Sequence, residues 1–376
     1  MKILQTSSSP HWGGAQIRAL TEAAGLRSRG HEVVIASPAG TPIGRRAAGL
    51  RIPVVELPAA DGPLPTRARA CLAMRRLVRD GDFDALATHG TIDSWLVALA
   101  CATLRRPPSI VRTHHATAPA PHGQASRWLY MRAATRIVTT GESVRRSLVR
   151  DQGFDGRRIV PIPTGIDLGY FKPAVTPAAT AQARRALGLP DDELPVLGTV
   201  ASLRRSKGHH FLLEALAGLA RPVRLLVVGD GPQRAALEKQ AQASLPEGRV
   251  LFAGAQSEVL PWLRALDVFV LPTLHEGVPQ SLSQAMGVGL CCVTTPVGGI
   301  PEIARDGDSA LFVPPGEVEP LRAALQRVVD DSGLRARLGA GARAAALECC
   351  SIEAMLDRIE ALYRELVDSR RDRRRR

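Results

Sequence analysis

The chain has 376 residues, more than one hydrophobic core ordinarily supports and about the length of two domains. Hydrophobic residues make up 45% and charged residues 23%, a globular composition that excludes disordered, collagen-like and coiled-coil chains. The net charge of +13 is uneven: residues 1–172 hold 24 Lys and Arg against 12 Asp and Glu, residues 173–369 hold 19 against 23, and RRDRRRR at 370–376 adds +5.

A basic front half and tail point to an anionic partner met by one domain. Nucleic acid is not the expected partner, because only 4% of residues are aromatic and no zinc-finger, RRM or KH signature is present. No run of about 18 apolar residues occurs, and the start MKILQTSSSPHWGG has only a three-residue apolar stretch, so neither a membrane span nor a secretory signal is expected. A cytoplasmic location follows as the expectation. The six cysteines, at 71, 101, 291, 292, 349 and 350, lack C-x-x-C spacing and read as reduced packing residues.

In chain order, KILQT, the turn HWGG, an apolar-periodic stretch through Ile17, Leu20 and Ala24, and EVVIAS after Gly30 form a strand, helix and strand. Short apolar or β-branched runs follow at 53–57, 109–113, 136–140 and 158–162, between helical stretches, which predicts a parallel sheet covered by helices. Proline and glycine enrichment marks 171–195 as a connector between a first domain, 1–170, and a second, 196–350. The second domain repeats the plan with VLGTVA, HFLLEALAGL and VRLLVVGDG, continued by RVLFAG, DVFVLP, LCCVTT and ALFVPP. A helix runs from Glu319 to about Asp330 and another over 351–369, expected to pack back on the first domain ahead of a basic tail, 370–376. The predicted architecture is α/β, with two doubly wound domains facing across a cleft.

In open α/β sheets ligands bind beyond the carboxyl ends of the strands, so the loops there hold the candidates. His11-Trp12-Gly13-Gly14 precedes the first helix, where paired glycines let a phosphate approach the backbone, or simply make a tight turn. It is not G-x-G-x-x-G, and a dinucleotide fingerprint is absent. Ser202-Leu203-Arg204-Arg205-Ser206-Lys207-Gly208 brings three cations to the matching loop of the second domain, suited to a diphosphate or to solvent. Glu276-Gly277-Val278-Pro279-Gln280-Ser281 follows DVFVLPT and leads to Gln284, placing a carboxylate and a carboxamide beside a helix N-terminus. Gly298-Gly299-Ile300-Pro301-Glu302 is a second glycine loop opening a helix.

Together VASLRRSKGHHFLLEAL, LLVVGDGPQRAALEK, VLFAG, LDVFVLPTLHEGVPQSLSQAMGVGLCCVTTPVGGIPEI and GDSALFVPPGE resemble, in order, the nucleotide-binding half of the family-4 retaining glycosyltransferases of the GT-B fold (glycosyl transferases group 1). The front half agrees through WGGAQIRAL, RGHEVVIAS, RTHH, TTGESVRRSL and RIVPIPTGIDLGYFKP, so nearly the whole chain is covered.

The resemblance implies a fold of two Rossmann-like domains, a nucleotide-diphosphate-sugar donor, UDP before GDP, and a glycan, lipid-linked or small-molecule acceptor. It implies that Glu276 contacts the transferred sugar and that Gln284 stands where a second glutamate usually grips the ribose. An amide there can still donate and accept, without the charge. Lys207 matches the lysine at the diphosphate, and Ser281 lies in the donor loop. The family's arginine position holds Ser202, with Arg204 the nearby substitute. Gly14 matches the glycine whose amide approaches the donor phosphates, and His115, with His114 as its rival, matches a histidine near sugar and acceptor.

A front-face retaining transfer requires chiefly that the leaving diphosphate be neutralised, which Lys207, Arg204 and helix N-termini can do. No D-x-D pair stands in a strand-end loop, so no cofactor and no divalent metal are expected. The alternatives are a 2-epimerase-like relative and an inactive binding protein, the latter raised by Gln284 and Ser202. A basic amphipathic stretch at 66–79 and the tail suggest salt-sensitive association with the inner face of a membrane.

Overall fold

The computed structural model of the chain describes residues 1–115, 123–173 and 177–375. It forms two compact units, Met1–Gly165 with Ile352–Arg376 (unit 1) and Ile166–Ser351 (unit 2).

Unit 1 alternates strands and helices: β1 (Lys2–Thr6), α1 (Gly14–Ser28), β2 (Glu32–Pro38), α2 (Pro42–Gly49), β3 (Val54–Leu57), α3 (Leu64–Asp80), β4 (Ala85–Thr88) and α4 (Thr91–Ala102). There follow β5 (Ser109–His114), α5 (Gln124–Trp128), β6 (Arg136–Thr139), α6 (Glu142–Arg150) and β7 (Ile159–Pro161). The seven strands are parallel in the order β3-β2-β1-β4-β5-β6-β7. The order reverses between β1 and β4, the point where doubly wound sheets leave a crevice.

Unit 2 opens with α7 (Pro177–Ala186) and continues through β8 (Val196–Val200), α8 (His209–Ala217), β9 (Arg224–Val228), α9 (Arg234–Ser244), β10 (Val250–Gly254) and α10 (Leu260–Arg264). Then come β11 (Val268–Leu271), α11 (Gln280–Val288), β12 (Cys291–Thr294), β13 (Leu311–Phe312), α12 (Val318–Asp330) and α13 (Ser332–Cys349). Its parallel order is β10-β9-β8-β11-β12-β13, reversing between β8 and β11. Helices cover both faces, so β9 and β11 are buried along their whole length and read as unbroken apolar runs.

The last helix, α14 (Ile352–Arg375), belongs to unit 1. Met355, Ile359, Leu362 and Leu366 recur at helical spacing and bury against the core shared by β1, α1 and β2, each contributing about 1.5–3 kcal/mol. Arg29 pairs with Glu360 at 3.1 Å and Arg136 with Glu365 at 2.7 Å along the same helix. The basic stretch expected as a separate tail continues α14 as far as Arg375, because nothing before it breaks the helix.

The expected connector, 171–195, is instead part of unit 2. Arg184 of α7 pairs with Asp267 at 2.7 Å, and Arg343 of α13 donates to the Phe171 carbonyl at 2.9 Å and the Leu168 carbonyl at 3.2 Å. The chain passes between units at 165–166 and 351–352. The prolines there bound a short helix, while 174–176 lie outside the described residues.

Candidate active site

In unit 2 the loop after β8 is anchored by Leu203, fully buried, whose amide donates to the Asp230 carbonyl at 2.9 Å. One 3-10 turn, Arg205–Lys207, then delivers the chain to Gly208 at φ 72°. A β-carbon at Gly208 would lie 1.9 Å from the Pro272 carbonyl oxygen, so only glycine lets the two switch-point loops pack this closely. The Leu274 amide and the Thr273 hydroxyl both donate to the Ser206 carbonyl, at 2.7 and 3.0 Å. On the other side the Glu276 carbonyl presses on Gly298, at φ 60°, and the Gly299 amide donates to the Gly277 carbonyl at 2.7 Å.

This clamp brings together two of the candidates: the Lys207 ammonium forms an ion pair with a carboxylate oxygen of Glu276, side chains 20% and 9% exposed. Directly after them α11 starts behind Pro279, its N-cap residue, with no side-chain cap and no acidic residue in its first turn, leaving N–H groups free to meet an anion. Ser281 and Gln284, three residues apart on α11, share a helix face and are half-buried. Neither has a hydrogen-bonded side chain among the described residues. Ser202, Arg204 and Arg205 are exposed, and Arg204 does not join the Lys207–Glu276 pair. Behind Lys207, His209 is buried with neither ring nitrogen partnered among the described residues, and burial pushes its pKa down to about 4.

In unit 1, Gly14 is exposed at the start of α1, which also lacks a side-chain cap and an acidic first turn. His114 and His115, on opposite sides of the extended chain at the end of β5, part company. His114 is buried, and the Tyr130 hydroxyl, itself taking a 3.0 Å bond from Arg112, meets its Nδ1 at 2.9 Å. His115 is half-buried, and its Nε2 lies 3.1 Å from Nδ1 of His89, a residue the sequence reading passed over.

His89 follows β4, at the unit 1 switch point. Asp93, capping α4, accepts from the backbone amides of His89 at 3.0 Å and Gly90 at 3.1 Å, and from the hydroxyls of Thr6 at 3.0 Å and Ser8 at 3.1 Å. Burial lowers the His89 pKa to about 3, and that of His115 falls well below 6.5 for the same reason, so both rings are neutral. The Nε2 of His89 has no partner among the described residues. A buried orphan N–H is rarer than an orphan acceptor, which assigns the proton to His89 Nδ1, donating to His115 Nε2. His115 then carries its proton on Nδ1 and offers it as a donor. The signal for His89 was the T-H-G before a helix with Asp93 at its third position, hidden because ALAT is short and lacks β-branched residues before its last position.

Residues 12–170 match the family model for glycosyltransferase family 4, and residues 194–331 match that for glycosyl transferases group 1. The chain belongs to the group 1 glycosyltransferases of family 4. It is 34% identical over 211 residues to the 2-deoxystreptamine glucosyltransferase of Streptomyces kanamyceticus, a match covering 54% of either chain, so it spans about half the length of that relative. Against the UDP-Gal:alpha-D-GlcNAc-diphosphoundecaprenol alpha-1,3-galactosyltransferase of Escherichia coli it is 26% identical over 313 residues, 80% of each. Its fold is that of Anabaena HepE, solved with UDP-glucose, at a TM-score of 0.86 over 97% of this chain and 100% of that one, at 22% identity. The chain therefore has the GT-B fold of two Rossmann-like units.

Proposed function

We propose that the enzyme moves a sugar from a UDP-sugar, with GDP as the second choice of base, to a glycan, lipid-linked or small-molecule acceptor with retention of configuration and without a divalent metal. The observation that carries the reading is the Lys207–Glu276 pair beside the uncapped start of α11. A diphosphate arriving there replaces Glu276 as the partner of Lys207, and the helix N-termini add their N–H groups. Glu276, released from the ammonium, is free to hold a sugar hydroxyl. As the sugar–phosphate bond breaks, charge gathers on the leaving oxygen, where Lys207, aided by Arg204, stabilises it. In a front-face transfer that oxygen takes the acceptor proton, so the protein supplies no general base.

Gln284 donates to one ribose hydroxyl and accepts from another, with Ser281 beside it on α11. In unit 1, the Gly14 amide addresses donor phosphate and His115 donates from Nδ1 to the sugar or acceptor, held in that tautomer by His89. The relatives and structural neighbours, with UDP-sugar and lipid-linked substrates among them, support this choice. Unit 1 holds 31 Lys and Arg against 17 Asp and Glu, and unit 2 holds 18 against 19. That concentration supports association of unit 1 with an anionic membrane on the cytoplasmic side. No described helix is long and apolar enough to cross a membrane.

A thermal-shift screen with UDP, GDP and ADP tests the donor base, since a ligand at 100 times its Kd adds about 2.7 kcal/mol. Anomeric NMR of the product reads retention, and turnover that persists in EDTA reads metal independence. Stabilisation by none of the three nucleotides sinks the reading.

A further inference from the structure

At the N-terminal edge of the unit 1 sheet, opposite the loops that hold Gly14, His89 and His115, lies a groove of about 910 Å³. Pro107, Pro108 and Thr135, the residues that lead into β5 and β6, form part of its lining. Four arginines line it, Arg105, Arg106, Arg132 and Arg370, and no carboxylate does. Some exposed arginines of unit 1 have carboxylate partners, as in Arg79–Asp80, Arg150–Asp151 and Arg157–Asp155, and others, Arg67, Arg69 and Arg76 among them, have none among the described residues but stand apart from this groove. Arg105, Arg106 and Arg132 make no ion pair among the described residues and are exposed. The C-terminal dipole of α4, which ends just before them, supplies only about half a negative charge. Arg370 donates to the Arg106 carbonyl at 2.9 Å, which fixes the end of α14 on one wall.

Apart from Ser109, the remaining lining is chiefly apolar. Ala98, Cys101 and Ile110 contribute to it, and burial pushes the Cys101 thiol up to about 12. Trp128 stands at the wall, stacked on Trp95 at 5.8 Å, and Leu99 of the same helix as Cys101 is 47% exposed. Three exposed arginines without an ion pair among the described residues, beside apolar lining and a tryptophan at the wall, match a ligand whose phosphate is attached to an apolar body.

We propose that this groove binds the phosphate headgroup of an anionic membrane lipid. The proposal deepens the membrane reading above and rests on it, but it moves the decisive contact from α3 to a defined site. The arginines hold the phosphodiester oxygens, and Trp128 and the small apolar residues meet the glycerol and the first carbons of the chains.

The test is cosedimentation of the full chain with phosphatidylcholine vesicles, with and without phosphatidylglycerol, alongside calorimetry with inorganic pyrophosphate. Three chains are compared: the parent, Arg105→Ala/Arg106→Ala/Arg132→Ala, and Arg67→Ala/Arg69→Ala/Arg76→Ala on α3. The parent should bind only the anionic vesicles, the groove variant roughly a hundredfold more weakly, and the α3 variant less than tenfold more weakly. Unchanged UDP affinity in both variants confirms their folding. Loss confined to the α3 variant overturns the groove while leaving the membrane reading standing. Absence of vesicle binding by the parent overturns both. Pyrophosphate binding that the groove variant loses, without vesicle binding by the parent, overturns the lipid as the source and assigns the groove to a soluble polyphosphate.

Discussion

Lys207 and Glu276 come from loops 69 residues apart, yet the fold brings them together as an ion pair. Lys207→Ala removes the cation offered to the diphosphate and should weaken UDP by about 1.5–3 kcal/mol, measured calorimetrically. Glu276→Ala should abolish transfer while UDP affinity stays the same or rises, since Lys207 loses its competing partner; turnover within a few-fold of the parent would remove Glu276 from the reaction. His89 acts through His115. His89→Ala should lower kcat tenfold or more with UDP affinity unchanged, and His89→Asn, whose amide N–H can replace Nδ1–H, should recover most of it. A structural role alone would not give that recovery. Lys207, Glu276 and Gln284 were legible as residue types at strand ends, whereas the ion pair and the histidine pair were not, because both are set by packing of distant loops.

The same burial makes acid stability readable at single residues. His89 is held at about 3 and His209 at about 4, against an ordinary 6.5, so each is neutral when folded and charged when unfolded between those values. Below pH 6.5 the unfolded chain binds more protons. The stability present above 6.5 therefore falls as pH drops, by about 1.4 kcal/mol per pH unit for each histidine down to its folded value. Urea unfolding at pH 7.5 and pH 5 should show that fall, and His89→Gln should flatten it for unit 1; an unchanged slope would mean that His89 is charged in the folded protein.

Among the elements, α14 carries a device that its amphipathic pattern alone did not announce. The Tyr363 hydroxyl donates to Glu22 Oε1 at 3.0 Å, as does the Gln5 amide at 3.1 Å, deep in unit 1. Arg18 of the same buried cluster donates to the Ile162 carbonyl at 2.6 Å and to Thr164 Oγ1 at 3.1 Å. Burial raises the Glu22 carboxyl and lowers the Arg18 guanidinium, and the Arg18 charge, 3.9 Å from Glu22, together with the Tyr363 and Gln5 donors is what keeps a carboxylate tolerable there. Tyr363→Phe should cost about 1–3 kcal/mol in urea unfolding, the usual loss when a buried acceptor forfeits a donor. A neutral effect would show that Gln5 suffices. Strands such as β9 and β11 were plain in the sequence because burial on both faces demands unbroken apolar runs. The central strand β4 was not, since ALAT has one β-branched residue in four, and α13, with three glycines in eighteen residues, carries little helix signal of its own. Both are made by their surroundings in the sheet and core.

For the molecule as a whole, the two sheets repeat one plan with different charge: unit 1 carries +14 and unit 2 carries −1. The near-neutral unit nevertheless concentrates cations in one loop, at its switch point, where a diphosphate would need them. The most direct test of that claim is calorimetric titration of UDP into the parent chain and into Lys207→Ala. The account predicts one UDP per chain in the parent and binding at least tenfold weaker in the variant. Equal affinity in the two chains, or no binding of UDP, GDP or ADP to the parent, would contradict it.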